Sequence, residues 1–296
     1  MEINVFENIG EKFLQGLEGV LRLVDRINQS DDEEDILIFQ NNFFVTPLFI
    51  LPLLVYVSGS KKRIRYQFTN SYLDMIQFGS GGIKPEELEF SALHHLLEKY
   101  SAKTYIPIID FPTDQKYIRE RNEILSAVEN LLSNQIRLQP NITAGLKYLI
   151  EESVDNIIEH SDSKRGYLFG QSYPSKKYMD ICIADNGITL LGSYCKMEGN
   201  KITDHLSAMK AANFGISTKN LTGAENRGYG IRTSKKMLVD GLSGNYVMLS
   251  GNALYLKSKT IERFMVLPDI ATWQGTIVAM RIPYVNASFY YIDFVE

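Results

Sequence analysis

The hydrophobic pattern of the N-terminal third predicts alternating helices and strands. Apolar residues recur at helical spacing over Val5–Ile27, which predicts an amphipathic helix. Ile36–Phe39 is predicted as a short buried strand, and Arg63–Phe68 alternates apolar and polar residues as a second strand does. Ser71–Phe78 is predicted as a short helix. This order of elements indicates a small α/β domain with a parallel sheet.

The most hydrophobic stretch, Phe43–Val57, raises the question of a membrane span. It is uncharged, but it is shorter than the roughly 20 apolar residues that a transmembrane helix needs. It also contains Pro47 and Pro52. Because proline is favoured in the first turn of a helix, we predict a buried helix that begins at Pro47 and no contact with a membrane.

The rest of the chain predicts a second, larger α/β domain. Tyr105–Phe111 is predicted as a strand and Arg119–Leu132 as a helix, with the domain boundary near Pro112. We therefore expect an N-terminal domain over residues 1–112 and a C-terminal domain over residues 113–296.

Composition and charge restrict the function classes. The chain has 296 residues and a formal net charge of −4, and no cluster of Lys and Arg is large enough to predict nucleic-acid binding. We expect no signal peptide, because the first residues include Glu2 and lack a basic region followed by an apolar one. Cys182 and Cys195 do not form a CxxC motif, and a buried free thiol at Cys182 indicates a reducing compartment. We expect a cytoplasmic protein.

Three polar residues share one face of a helix predicted over Leu146–Ser161. Glu152, Asn156 and His160 follow one another at intervals of four residues, so they can converge on a single ligand. A carboxylate can accept a proton from a nucleophile, and an amide oxygen is a hard ligand suited to Mg²⁺. An amphipathic helix with a solvated polar face has the same pattern.

Two predicted strands, Tyr167–Tyr173 and Tyr178–Ala184, follow this helix, and the second ends in Asp185-Asn186-Gly187. An aspartate that leaves a buried strand can accept a hydrogen bond from an exocyclic amine such as that of adenine. Gly187 permits a close backbone approach or a positive φ. By itself, the tripeptide is equally typical of an Asx turn.

Two glycine-containing segments complete the candidate chemistry. Gly223–Ile231 precedes a predicted helix, and a glycine-rich loop that opens a helix presents backbone N–H groups to a phosphate. The segment is neither a Walker loop nor a Rossmann fingerprint, because no GKS or GKT follows it and no strand leads into it. Gly275-Thr276 opens an apolar strand, and the hydroxyl of Thr276 is a further candidate for the same pocket.

The order and spacing of these segments resemble the GHKL superfamily, which groups the ATPase domains of gyrase, heat-shock chaperones, histidine kinases and mismatch-repair proteins. The resemblance covers about half of the chain, from Ile142 to Pro283. The matching segments are Glu152-x-x-x-Asn156 with His160 for the N box, Asp185-x-Gly187 for the first half of the G1 box, Gly228-x-Gly230 for the G2 box and Gly275-Thr276 for the G3 box. It implies a two-layer α/β sandwich of the Bergerat type.

The resemblance also implies a site for ATP and Mg²⁺. In it Glu152 would be the general base, Asn156 would coordinate Mg²⁺, and Asp185 would recognise adenine. The other positions implied to contact the nucleotide are His160, Gly187, Gly228, Gly230 and Thr276. Residues 188–227 would form the ATP lid, with Lys219 as a phosphate contact, although a solvated lid lysine fits the sequence equally well.

Three residues depart from the family pattern. Thr189 stands where the G1 box has its second glycine, Ile157 replaces the customary alanine after the asparagine, and Glu159 replaces a lysine found in many histidine kinases. The pair His94-His95 belongs to a predicted helix without the features of a phosphoacceptor hairpin. These departures argue against an orthodox histidine kinase.

The N-terminal element order resembles STAS-like domains, which accompany ATP-binding regulators in some bacteria. We therefore predict an ATPase or ATP-gated switch that regulates a protein partner. The alternatives are a protein serine kinase of the anti-sigma-factor type or an atypical histidine kinase, and a non-catalytic nucleotide sensor. The N-terminal helix is compatible with a homodimer as well as with capping its own domain.

Overall fold

A computed structural model describes residues 1–5, 13–40, 45–69, 71–136, 140–215, 230–284 and 291–294. The strands of these residues are β1 (Glu2–Val5), β2 (Glu34–Phe39), β3 (Arg63–Gln67), β4 (Tyr105–Pro112), β5 (Arg165–Tyr173), β6 (Tyr178–Asp185), β7 (Asn245–Gly251), β8 (Ala253–Lys257), β9 (Glu262–Val266) and β10 (Trp273–Pro283). The helices are α1 (Gln15–Gln29), α2 (Pro47–Gly59), α3 (Ser71–Met75), α4 (Phe90–Glu98), α5 (Ile118–Ile136), α6 (Pro140–His160), α7 (Leu190–Cys195), α8 (His205–Asn213) and α9 (Gly230–Lys236). The fold is therefore mixed α/β, as predicted.

The smaller sheet has the strand order β1-β2-β3, and both pairings are parallel. This confirms the parallel N-terminal sheet predicted from the alternation of elements. The prediction of a helix over Val5–Ile27 was wrong at its N-terminal end, because Val5 is the last residue of β1 and α1 starts at Gln15. Val5 is the one residue of β1 in the predicted range, and it fits helical spacing because Ile9 follows four residues later in the sequence.

The helix α2 accounts for the most hydrophobic stretch of the sequence. It begins at Pro47, as predicted, and most of its residues are buried. It packs beside α1 and also contacts β5, β6 and β10, so apolar side chains are required on more than one of its faces. Among the described residues, no helix has the length and hydrophobicity to cross a membrane.

The larger sheet has the strand order β4-β5-β6-β10-β7-β8-β9, and every neighbouring pair is antiparallel. Its edge strand β4 pairs with β5, so the sheet includes residues on both sides of the boundary predicted between 112 and 113. The sequence predicts the strand over Tyr105–Phe111, which the structure extends to Pro112, but it does not predict which strand is its partner. Pairing between strands so distant along the chain leaves no local pattern.

Helices cover both faces of the larger sheet. On β5, Gly166 faces α6, since a Cβ at Gly166 would lie 3.2 Å from Ile157. The next residue, Tyr167, reaches the opposite side, where its hydroxyl bonds to Ser58 of α2. The helices α5 and α9 lie beside α6. The sheet is thus held between α2 on one face and α6 on the other.

One continuous cluster of buried apolar side chains joins the two sheets. It includes Phe39 of the smaller sheet, Leu51 of α2, Ile181 of the larger sheet and Ile150 of α6. Removal of apolar surface from water is the main favourable contribution to folding. The N-terminal elements therefore share a core with the elements that carry the candidate site.

Candidate functional site

The helix α6 presents the predicted polar face. Glu152, Asn156 and His160 are each partly buried, as expected for one stripe of a packed helix. The amide nitrogen of Asn156 donates to the backbone oxygen of Glu152 at 2.7 Å and to its carboxylate at 3.5 Å. Both contacts use the nitrogen, so the amide oxygen is the end of Asn156 that can meet a cation.

The C-terminal end of α6 contacts the turn that follows β6. The backbone oxygen of Ser161 accepts a hydrogen bond from the N–H of Ile188 at 2.6 Å. A Cβ at Gly187 would lie 2.8 Å from the carbonyl carbon of Ser161. Gly187 therefore allows the turn to pack closely against the end of α6. Contact between Gly187 and a nucleotide stays a prediction.

The carboxyl of Asp185 lies at the end of β6 and is only 1% exposed. The N–H of Gly187 donates to its Oδ1 at 2.8 Å, and the backbone N–H of Thr276 donates to the same carboxyl. Among the described residues, no Lys, Arg or His side chain forms an ion pair with it. Within the part of the chain that the structure describes, the carboxyl is thus held by backbone groups.

This environment changes the acidity of the carboxyl. Burial raises the pKa of Asp185 to about 7, and the two backbone N–H groups offset part of that rise. A buried carboxyl that changes its charge near neutral pH is more common at functional sites than elsewhere in a protein. In its ionised form it is a strong acceptor for an amino group.

Gly275 has a specific steric reason to be glycine. Its φ is +87°, a conformation that residues with a side chain rarely adopt, and a Cβ there would lie 2.7 Å from Oδ1 of Asp185. The glycine of the predicted Gly275-Thr276 pair therefore lets β10 close over the aspartate. The structure brings Asp185 and Thr276 together on adjacent strands, as the sequence predicted.

Ser250 was missed by sequence reasoning. It is 1% exposed on β7, where it pairs with Thr276 of β10. Its hydroxyl donates to the backbone oxygen of Gly275 at 2.9 Å and accepts from the N–H of Leu190 at 2.9 Å, and it lies 3.1 Å from the hydroxyl of Thr276. A single serine in an apolar strand carries no pattern that distinguishes it, so only the strand register identifies it.

The segment predicted as a lid begins with a capped helix. The side chain of Thr189 accepts a hydrogen bond from the N–H of Gly192 at 3.2 Å and so caps α7. Threonine in place of the second glycine of the G1 box therefore marks the start of a helix. Of the remaining predicted residues, Lys219 and Gly228 lie outside the described residues, and Gly230 is the first residue of α9.

A buried lysine connects α9 to the end of α8. Lys235 is 5% exposed, and its Nζ donates to the side-chain oxygen of Asn213 at 3.0 Å. The same nitrogen lies 4.6 Å from the centre of the Tyr255 ring. Burial lowers the pKa of Lys235 to about 8. No sequence motif pointed to this residue.

The residues present fit a nucleotide-borne Mg²⁺ better than a metal held by protein alone. Within the described ranges, no group of three or more His, Cys, Asp or Glu side chains could hold a metal ion. Mg²⁺ in nucleotide sites usually keeps several waters and takes only one or two protein ligands in addition to phosphate oxygens. The amide oxygen of Asn156 is a suitable ligand of that kind.

The structure thus joins three of the predicted segments. The turn after β6 contacts both the end of α6, through Ser161, and the beginning of β10, through Asp185. The helix α9, which begins at the predicted Gly230, lies beside α6. Comparison of the chain with protein-family models, with curated proteins and with solved structures finds no match.

Proposed function

We propose that this protein binds ATP with Mg²⁺ and acts as an ATPase or ATP-gated switch that regulates a protein partner. The observation that carries the proposal is the carboxyl of Asp185, which is buried and accepts hydrogen bonds from backbone N–H groups. Three adjacent strands bring Asp185, Thr276 and Ser250 side by side. The ionised form of such a buried carboxyl costs free energy, which a ligand that donates a hydrogen bond to it would offset. The exocyclic amine of adenine is such a ligand.

The polar face of α6 supplies the groups that phosphate chemistry needs. The amide oxygen of Asn156 is proposed to coordinate Mg²⁺, which would neutralise charge on the phosphates. Glu152 lies one helical turn away and is proposed to orient or deprotonate the attacking water. Phosphoryl transfer requires mainly positioning and electrostatic stabilisation, so these two side chains suffice as protein contributions from α6.

Regulation is proposed to act through the segment that begins at α7. The first N–H of α7, that of Leu190, bonds to Ser250, and Ser250 bonds to the backbone beside Thr276. A nucleotide at Asp185 would therefore contact the strands that hold the start of this segment. A shift of α7 on nucleotide binding would then be the switching movement. Both cysteines are free thiols, which agrees with the proposed cytoplasmic location.

The test is incubation of the purified protein with γ-labelled ATP and Mg²⁺, with free phosphate and labelled protein measured separately. We expect release of phosphate and no stable label on the protein. The variant Glu152→Ala should retain nucleotide binding and lose phosphate release by about 100-fold or more, as is typical for loss of a general base.

The neighbouring Glu151 provides a matched control. It is also on α6, but it pairs with Lys147 at 3.7 Å and does not contact Asn156. Glu151→Ala should leave phosphate release within about twofold of the wild type. Label transferred to a serine would support a kinase, binding without either product would support a sensor, and absence of nucleotide binding would refute the proposal.

A further inference from the structure

The C-terminal turn of α2 touches the turn that contains the proposed adenine-binding residue. The hydroxyl of Tyr167 on β5 donates to the hydroxyl of Ser58 at 3.0 Å. At the next residue, a Cβ on Gly59 would lie 2.8 Å from Nδ2 of Asn186. Asn186 stands between Asp185 and Gly187, so the end of α2 lies against the side chain adjacent to the buried carboxyl.

The opposite end of the Asn186 amide is also held. Its Oδ1 accepts a hydrogen bond from the hydroxyl of Ser163 at 3.0 Å. The N–H of Ser163 in turn donates to the hydroxyl of Ser161, at the end of α6, at 3.0 Å. The amide of Asn186 therefore lies between the last residue of α2 and the segment that follows α6. Asn186 is thus hydrogen-bonded on one side and closely approached by Gly59 on the other, so it cannot move toward α2 without a shift of Gly59.

The end of α2 is in turn fixed to the smaller sheet. Lys62, three residues beyond Gly59, forms an ion pair with the buried Asp35 of β2 at 2.7 Å. The same Nζ donates to the backbone oxygen of Ser30, after α1, at 2.7 Å. A movement of the three-stranded sheet relative to the larger sheet would therefore move Gly59 relative to Asn186.

We propose that Gly59 and Asn186 form a positioning contact through which the three-stranded sheet and its helices set the nucleotide affinity of the site at Asp185. The inference rests on the proposed function. Displacement of Asn186 would alter the hydrogen bond between Gly187 and Asp185, because these residues share one turn. Coupling between sites is reciprocal, so a bound nucleotide must also stabilise the docked position of α2.

The experiment introduces a bulky side chain at the contact between Gly59 and Asn186. Gly59→Leu introduces a side chain against Asn186, and leucine favours a helix more than glycine does. We expect the Kd for a non-hydrolysable ATP analogue with Mg²⁺, measured by calorimetry, to rise about tenfold. Asn186→Ala removes the amide that the leucine at position 59 would displace. The Kd of the double variant Gly59→Leu/Asn186→Ala should therefore lie within about twofold of the Kd of Asn186→Ala alone.

Gly79→Leu is the matched control. A Cβ at Gly79 would lie 2.9 Å from the ring of Phe68, a similarly tight site that does not touch the turn after β6. Its Kd should stay within about twofold of the wild type. A Gly59→Leu variant with wild-type affinity, or a double variant that stays as weak as Gly59→Leu, would overturn the positioning contact. If the wild type binds no analogue, the proposed function itself fails.

Hydrogen exchange of the wild type tests the reciprocal effect without any variant. The amides of residues 57–60, at the end of α2, should exchange at least about threefold more slowly when the analogue and Mg²⁺ are bound. The amides of β3 should change less, because β3 lies at the edge of the smaller sheet. Binding of the analogue without slower exchange at residues 57–60 would contradict the coupling.

Discussion

Replacement of Asp185 with Asn separates a role in ligand binding from a role in stability. Asparagine has nearly the shape of a protonated aspartate and cannot ionise. In the folded protein the pKa of Asp185 is about 7, whereas an aspartate in an unfolded chain ionises near 3.8. Between about pH 4 and pH 7, Asp185 therefore keeps its proton in the folded chain and has lost it in the unfolded chain. Over that range the free energy of unfolding falls as the pH rises.

The magnitude follows from the difference between the two pKa values. Above pH 7, keeping an ionised carboxyl in this site costs about 4 kcal/mol relative to a group that stays neutral. Asparagine avoids that cost, but its NH2 group only donates and is buried beside backbone N–H groups, which costs about 1–3 kcal/mol. We expect Asp185→Asn to raise the free energy of unfolding by about 1–3 kcal/mol at pH 8, and this value to be lower by about 3 kcal/mol at pH 5.

Urea unfolding at pH 5 and pH 8 measures both values, with the fluorescence of the buried Trp273 as the probe. Asp180→Asn is the matched control, because Asp180 is a buried aspartate of the same strand that pairs with Arg281 at 2.7 Å. Its replacement removes the carboxylate partner of the largely buried Arg281 and should lower the free energy of unfolding by about 3–5 kcal/mol. If Asp185→Asn is equally destabilising, or if its effect is the same at both pH values, the reasoning about Asp185 is refuted. A gain in stability together with loss of nucleotide binding is the result expected for a binding residue.

Three further predictions concern the residues around the site. Between about pH 8 and pH 10 the free energy of unfolding of the wild type should rise, because the pKa of Lys235 is about 8 in the folded chain and higher in the unfolded chain. Lys235→Met should lack that part of the rise, and an identical pH profile of the two proteins in urea unfolding would contradict it. Ser250→Ala leaves the N–H of Leu190 without its acceptor and should lower the free energy of unfolding by about 1–3 kcal/mol, while Ser250→Thr, which keeps a hydroxyl, should lose less. Gly275→Ala combines a strained φ with a steric overlap at Asp185 and should lower thermal stability by about 2 kcal/mol or more, and an unchanged melting temperature would show that the backbone there is not constrained.

The sequence predicted elements better than it predicted their partners. The start of α2 at Pro47 and the strand Tyr178–Asp185 could be predicted because proline position and apolar runs are local properties. The pairing of β4 with β5 could not, since residues far apart along the chain decide it. The glycine at position 187, predicted to contact a ligand, packs closely against Ser161, and the sequence could not show this because the need for a close approach does not identify the approaching group.

The same distinction explains why the candidate site was recognised only in part. Glu152 and Asn156 could be paired from the sequence because the helical repeat alone brings residues four positions apart onto one face. Ser250 could not be found, because its contact with Thr276 depends on the register between β7 and β10. In the sequence, Asn186 only separates Asp185 from Gly187. Its proposed positioning role follows from the contact with Gly59 of α2, which lies on the face of the larger sheet opposite to α6. A contact between two segments produces no periodic pattern in either segment. Contacts of this kind therefore have to be read from the structure, even where the residues of the site can be predicted from the sequence.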